Sequence, residues 1–398
     1  MSVSRVGVVG AGTMGRGIAQ IAALGGYETV LYDVSAELAE AGAAGLREAL
    51  DKGAERGRWS VDDAIAAASR VETTAELDGL TGCGLVIEAA PEKLELKRQI
   101  FTGLAEAVGP EPVFASNTSS LRVSAIAQGV PQPERVVGMH FFNPPALMKL
   151  VEVVAAERSS EAALAATTEV AERMGRTPIR AKDSPGFVAN RLARPFTLES
   201  LRILGDGVAD APTIDRVVRL GGGFRMGPFE LLDLIGLDVN LEIARSFFAQ
   251  GGEPERWRPS PIQEQLVAEG RLGRKSGHGY HAYGEGSARE SDPELGIEAP
   301  TLDPAQLAQI DPAAEEVLNR LFAQIANEAA FAREEEVASP ADMDTAMQLG
   351  FNWPLGPIGI TELIGPDRAA DLLEELKAEK GAAYAPAPEL RRIITSST

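Results

Sequence analysis

Residues 5–33 restrict the possible folds more than any other part of this chain. A short apolar run, Arg5 to Gly10, leads into Gly10-Ala11-Gly12-Thr13-Met14-Gly15, and a helix-forming stretch follows from Arg16 to Leu24. A second run, Glu28 to Tyr32, ends in Asp33, 21 residues after Gly12. Short runs without polar alternation suit parallel strands buried on both faces. Glycines at this spacing between strand and helix serve a tight turn, a close approach to a pyrophosphate and close packing of helix on strand. The helix N-terminus adds unpaired N–H groups and the positive end of a dipole. An acid at the end of the second strand suits ribose hydroxyls and repels a 2′-phosphate, which favours NAD over NADP. Gly10, Gly12, Thr13, Met14, Gly15 and Asp33 are therefore candidate cofactor-binding residues.

The segment from Ala36 to about Glu76 reads as helical, broken near Gly53 to Trp59. Lys52, Arg56 and Arg58 cluster at the break. Each is most simply a solvated side chain; together they could meet a phosphorylated substrate tail. Leu85 to Ala90 reads as a buried strand, followed by a helix from Lys93 to Ala107 that carries Lys97. Val113 to Ser116 reads as another strand and opens into Asn117-Thr118-Ser119-Ser120. In open parallel sheets ligands sit beyond the carboxyl ends of the strands, where Glu92, Asn117 and Ser119 fall. Ser119 suits a hydroxyl donor to ligand, and helix capping would suit it equally.

Gly138 to Val154 contains His140 within an apolar run. A strand entering at Val136 ends at Asn143-Pro144-Pro145, since proline lacks an N–H and fixes φ. Leu147 to Val154 alternates like a half-buried strand and carries Glu152. If the two strands lie side by side, the histidine and glutamate can meet, and a carboxylate on one imidazole nitrogen frees the other as a base. Taken alone, this stretch is read more simply as a core histidine and a surface glutamate.

With 398 residues the chain has room for two or three domains. A net charge of −20 argues against nucleic acid or an anionic membrane as partner, while leaving room for a local anion site. The single cysteine, Cys83, excludes an internal disulfide and fits a reducing, cytoplasmic setting. No signal peptide or membrane-spanning run is expected. His278 and His281 have no partner cysteine, so no metal site is expected.

The glycine loop, Asp33, SNTSS at 116–120, HFFNPP…MKLVEVV from His140 to Val154, and Ser184-Pro185-Gly186-Phe187-Val188-Ala189-Asn190-Arg191 stand together in this order. In that combination the chain resembles the L-3-hydroxyacyl-CoA dehydrogenase family over essentially its whole length. The resemblance implies an α/β Rossmann-type N-terminal domain with a mostly parallel sheet, all-helical C-terminal structure, and reversible NAD-dependent oxidation of a 3-hydroxyacyl-CoA, a reaction of fatty-acid metabolism and β-oxidation. It implies His140 as general base oriented by Glu152, with Ser119 and Asn190 on the substrate's hydroxyl and carbonyl region. Glu92, Lys97, Asn117 and Lys275 would lie near the nicotinamide half of NAD. Lys52, Arg56 and Arg58 would face the CoA phosphates, in a region where lysines are usual in the family and arginines prevail here. Two other readings are a dehydrogenase of a non-CoA 3-hydroxy acid, as in the gulonate 3-dehydrogenase and lambda-crystallin branch, and a non-catalytic NAD(H)-binding sensor.

The C-terminal half repeats itself. Asn190–Gly236 aligns without a gap to Asn319–Gly365 at an offset of 129, with Asn190, Arg191, Glu199, Asp215, Gly227, Pro228 and Gly236 among the identities. Such a match signals a duplicated helical unit. Trp257-Arg258-Pro259-Ser260-Pro261 is echoed by Tyr384-Ala385-Pro386-Ala387-Pro388. The expected organisation is a dinucleotide domain at 1–184, a first helical domain at 185–284, a linker at 285–311 and a second helical domain at 312–398. The resemblance implies a helical domain through which single-copy members of the family dimerise, and so a second copy expected to pack on the first as a pseudo-symmetric partner. The chain would then be a monomer with an internal pseudo-dimer, or a homodimer.

Overall fold

The computed structural model describes residues 3–284 and 292–393. Contacts divide the chain into two units, Met1–Phe187 and Val188–Thr398.

The first unit is built on an eight-stranded sheet in the order β3-β2-β1-β4-β5-β6-β7-β8. Its strands are β1 (Arg5–Val9), β2 (Glu28–Tyr32), β3 (Val71–Thr74), β4 (Leu85–Glu88), β5 (Val113–Ser116), β6 (Val136–Phe141), β7 (Leu150–Ala155) and β8 (Thr177–Lys182). All neighbouring pairs are parallel except β6 with β7. The helices are α1 (Thr13–Leu24), α2 (Ala36–Glu55), α3 (Val61–Ser69), α4 (Leu94–Val108), α5 (Val123–Ala127) and α6 (Glu161–Arg173). Parallel neighbours need crossovers of a dozen or more residues, and α1, α4 and the α2–α3 pair provide them. Val6, Val8, Leu85, Ile87, Ile18 and Ile21 are buried together in the core, as expected for strands covered on both faces.

Three local features depart from the sequence reading. The stretch read as helical to Glu76 ends instead in β3, an edge strand of β-branched residues captured by β2. Strand β8 was not anticipated, because Pro178 weakens its signal; an edge strand accommodates that proline. Strand β7 is buried from Leu150 through Val154, Glu152 included, rather than half-buried. Its antiparallel register sets Glu152 opposite His140, so the acid turns to the neighbouring strand and not to water.

The second unit is helical. The first repeat runs α7 (Ala189–Leu192), α8 (Arg194–Gly205), α9 (Ala211–Leu220), α10 (Pro228–Ile235), α11 (Leu237–Gln250) and α12 (Pro261–Ala268). After the short α13 (Pro304–Leu307), the second repeat runs α14 (Ala314–Glu334), α15 (Pro340–Phe351), α16 (Pro357–Ile364) and α17 (Pro366–Lys380). Part of the expected linker packs: Thr301 N–H donates to Gly221 O, and Leu307 is fully buried. Its residues 285–291, like 394–398 at the chain end, lie outside the described residues.

Helices α7 and α8 pack against α14, and the ion pairs they make with it are reciprocal. Arg191 binds Glu328 at 2.7 Å, while Arg320 binds Glu199 at 2.9 Å. Arg320 is Arg191 shifted by 129, and Glu328 is Glu199 shifted by 129. The outer partners follow the same rule: Arg191 also holds Glu335 and Arg320 also holds Asp206. Trp257 Nε1–H donates to Glu328, and the Tyr384 hydroxyl lies 3.2 Å from Glu199. Each repeat also opens its short helix with the same cap. Asp215 accepts from Phe229 N–H at the start of α10, and Asp344 accepts from Ile358 N–H at the start of α16.

Candidate active site

The turn between β1 and α1 has the geometry a dinucleotide requires. Gly10 has φ +101°, and a Cβ there would stand 2.9 Å from Ala89 O. A Cβ on Gly15 would stand 1.7 Å from Gly10 O, so helix and turn meet only without side chains. At Gly12 a Cβ would meet no protein atom within 4 Å, and no side chain caps α1. The first-turn N–H groups around Thr13 and Met14 therefore face an open approach. Asp33 follows β2, its carboxylate accepting from Ala11 N–H at 2.8 Å and Val34 N–H at 2.7 Å. Each carboxylate oxygen keeps a further lone pair for a ribose hydroxyl. These residues fit NAD.

Beyond β4 and β5 lies a polar network. Glu88 is fully buried at the end of β4 and accepts from Lys97 Nζ at 2.7 Å, Ser116 Oγ–H at 2.6 Å and Ala90 N–H at 2.7 Å. Lys97 also reaches Glu92 at 3.3 Å. Glu92 Oε1 in turn accepts from the Thr118 hydroxyl, the Ser119 N–H, and both the N–H and hydroxyl of Ser120. Burial pushes the Glu92 carboxyl up, but these donors and the Lys97 ammonium prevail and hold it below the usual carboxylate range. Thr118 and Ser120 are thus committed to Glu92, while the exposed Ser119 has its N–H held and its hydroxyl uncommitted. The sequence reading takes Glu88 only as part of the buried strand Leu85 to Ala90 and gives it no role in the site. An acid closing the apolar run Leu85-Val86-Ile87, with a lysine nine residues on, was the available signal.

His140 lies on β6, 6% exposed, with Nδ1 2.6 Å from Oε2 of the fully buried Glu152. The contact is short, as charge-assisted hydrogen bonds are. Rings of Phe142 and Phe187 flank the imidazole at 4.6 and 5.9 Å between centroids. Asn117 stands at the end of the neighbouring β5 and accepts from Phe141 N–H at 2.8 Å, which fixes the backbone beside His140. With Nδ1 facing Glu152, Nε2 is the ring atom left to exchange a proton.

The other sequence candidates are dispersed. Lys52 pairs with Glu48 on the exposed face of α2; Arg56 and Arg58 follow it, also exposed. Asn190 is the second residue of α7 in the helical unit, partly exposed, and Lys275 in the same unit pairs with Asp238 at 2.5 Å. His281 Nε2 lies 2.7 Å from Asp215; that hydrogen bond, against the opposing effect of burial, holds the imidazole above its usual pKa. Among the described residues there is no group of three or more side chains able to hold a metal ion, and no helix is long and apolar enough to cross a membrane.

Two family models match this chain: the NAD-binding domain of 3-hydroxyacyl-CoA dehydrogenase over residues 5–184, and its C-terminal domain over 186–283 and again over 317–397. The chain belongs to the 3-hydroxyacyl-CoA dehydrogenase family. It is an NAD-dependent enzyme of that class. Over its full length it is similar to the 3-hydroxyadipyl-CoA dehydrogenase of Escherichia coli K12, at 34% identity across 98% of each chain. Over 70% of its length it is 39% identical to the whole of a probable 3-hydroxybutyryl-CoA dehydrogenase of Deinococcus radiodurans. A crystal structure of 3-hydroxybutyryl-CoA dehydrogenase from E. coli K12 superposes with a TM-score of 0.88 at 33% identity, covering 98% of both chains.

Proposed function

We propose that His140 is the acid/base of this dehydrogenase, that Glu152 orients it, and that Ser119 and Asn190 hold the substrate's hydroxyl and carbonyl region. The observation that carries this reading is the buried His140–Glu152 pair, formed across β6 and β7 at 2.6 Å. In the oxidative direction Nε2 of the neutral ring takes the hydroxyl proton, and Glu152 stabilises the imidazolium that forms. NAD, when bound, accepts the hydride from the substrate carbon. The uncommitted Ser119 hydroxyl, on a turn fixed by Glu92, offers a preorganised donor to the developing carbonyl oxygen. Glu92, Lys97, Asn117 and Lys275 are assigned to the nicotinamide side, and Lys52, Arg56 and Arg58 to the CoA phosphates.

The full-length relative is named for 3-hydroxyadipyl-CoA and shorter relatives for 3-hydroxybutyryl-CoA, so short monoacyl and dicarboxylyl thioesters are the substrates to try. We place the enzyme in the cytoplasm, on its single buried cysteine. We expect it to act as a monomer whose second helical repeat serves as partner to the first, or as a homodimer. The deciding assay is NADH oxidation with acetoacetyl-CoA by wild type and His140→Ala. Turnover that falls ~10²–10⁴-fold in the variant supports the assignment. Turnover that survives the substitution removes His140 as the base. Wild-type inactivity with NADH still bound points to a non-CoA hydroxy acid or a sensor.

A further inference from the structure

Of the buried arginines in the helical unit, Arg191 and Arg320 are each gripped by acids from the opposite repeat, whereas among the described residues no acid answers Arg194. It is only 7% exposed, its Nε and Nη1 have no hydrogen-bond partner, and its guanidinium lies over the Phe247 ring at 5.3 Å. Burial with no neighbouring acid pushes its pKa down to about 10. A desolvated, unpaired cation is among the more costly things a core can hold, and it is relieved by an anion arriving with the ligand.

Two neighbours say what kind of ligand. Arg194 follows Asn190 by four residues, and the backbone stays helical through Ala193. The two side chains therefore lie on one face, about 6 Å apart along the axis. On α11, Val239, Ile243 and Phe247 recur at steps of four and share a face. Val239 and Ile243 are 46% and 40% exposed, while Phe247 is buried beneath the guanidinium. An exposed aliphatic track thus ends at an unpaired cation, one turn from Asn190. The second repeat supplies an internal control. It keeps the asparagine as Asn319 but has Ala323 in place of Arg194. The cation is lost in the repeat that no dinucleotide domain directly precedes.

We propose that Arg194 is a specificity-determining residue that pairs with the terminal carboxylate of a dicarboxylyl-CoA substrate whose acyl carbons run along the Val239–Ile243 face. The planar guanidinium forks onto a carboxylate through two parallel N–H bonds. The assignment rests on Asn190 being a substrate residue, as proposed above.

The test compares kcat/KM for 3-hydroxyadipyl-CoA and 3-hydroxybutyryl-CoA in wild type, Arg194→Met and Arg194→Lys. The adipyl-to-butyryl ratio should fall ~10–100-fold in Arg194→Met, with Arg194→Lys between it and wild type. An equal fall on both substrates overturns the proposal in favour of a structural role, as does a wild type that turns over only the butyryl thioester. A wild type that reduces acetoacetyl-CoA but ignores both hydroxy thioesters also overturns it, whereas loss of the acetoacetyl-CoA reaction itself fails the dehydrogenase reading. Should Arg194→Met not fold, wild-type inhibition decides: adipyl-CoA should bind at least about tenfold more tightly than hexanoyl-CoA, and equal binding refutes the idea.

Discussion

Glu152→Gln separates the charge of Glu152 from its shape. The amide oxygen can still accept from His140 Nδ1–H, so tautomer and ring orientation survive. Glu152 is fully buried, so no solvent replaces the lost charge. A hydrogen bond involving a charged group contributes about 1.5–3 kcal/mol, against about 0.5–1.5 for a neutral one. The difference, about 1–2 kcal/mol, applies where the ring becomes positive, which is in the chemical step. At 1.36 kcal/mol per decade this is ~5–30-fold in kcat for oxidation, with KM little changed. Glu152→Leu also leaves the buried Nδ1–H without an acceptor, a further cost of about 1–3 kcal/mol, and the combined loss of about 2–5 kcal/mol corresponds to ~30–5,000-fold. The assay is steady-state NADH formation with protiated and C3-deuterated substrate; the isotope effect should rise as chemistry becomes limiting. The decisive control is the His140→Ala background, where Glu152→Gln should cost almost nothing because no imidazolium forms. An equal cost in both backgrounds, or a single variant within twofold of wild type, would refute the reasoning.

Other perturbations probe the two units separately. Glu328→Gln should destabilise the helical unit by about 1–3 kcal/mol in urea unfolding, because Arg191 and Arg256 lose a charged acceptor while Arg191 keeps Glu335; a loss above about 4 kcal/mol would show that Glu335 does not hold Arg191 alone. His281→Gln should lower the thermal midpoint most at mildly acidic pH. The raised pKa of His281 gives stability that is complete below its ordinary value of about 6.5 and lost as pH rises through the folded value, so the deficit should vanish in alkaline buffer; one independent of pH would show that the ring acts only by packing. Replacing Lys52, Arg56 and Arg58 together by Ala should raise KM for CoA thioesters and flatten its salt dependence, leaving NADH affinity intact by fluorescence titration.

The parts of the fold that could be read in advance are those where one short segment carries its whole signal. Gly10 to Gly15 is such a segment: the strand, the turn whose Gly15 leaves room for Gly10 O, the helix and Asp33 all fall within one βαβ unit, so spacing alone places it. The repeat was equally visible, because an offset of 129 is a property of the string. What escaped depends on distant partners. Val71–Thr74 is a strand only because β2 offers an open edge, and Thr177–Lys182 only because β7 does. Glu88 looked like the end of an apolar run until Lys97 folded back onto it, and the burial of Glu152 follows from a cross-strand register that neither strand encodes alone. Arg194 was passed over for a related reason: what singles it out is a missing neighbour, which no sequence displays.

The reciprocal arginine–glutamate pairs that tie α7 and α8 to α14 have a further consequence. Between separate chains such a contact obeys mass action and comes apart on dilution. Here both halves are carried on one polypeptide, so each meets the other at an effective concentration that a short tether sets in the millimolar range, however few molecules are present. The internal contact cannot be lost by scarcity. The second repeat, always accompanied by the first, need not carry a counterpart of Arg194, and Ala323 stands in that place.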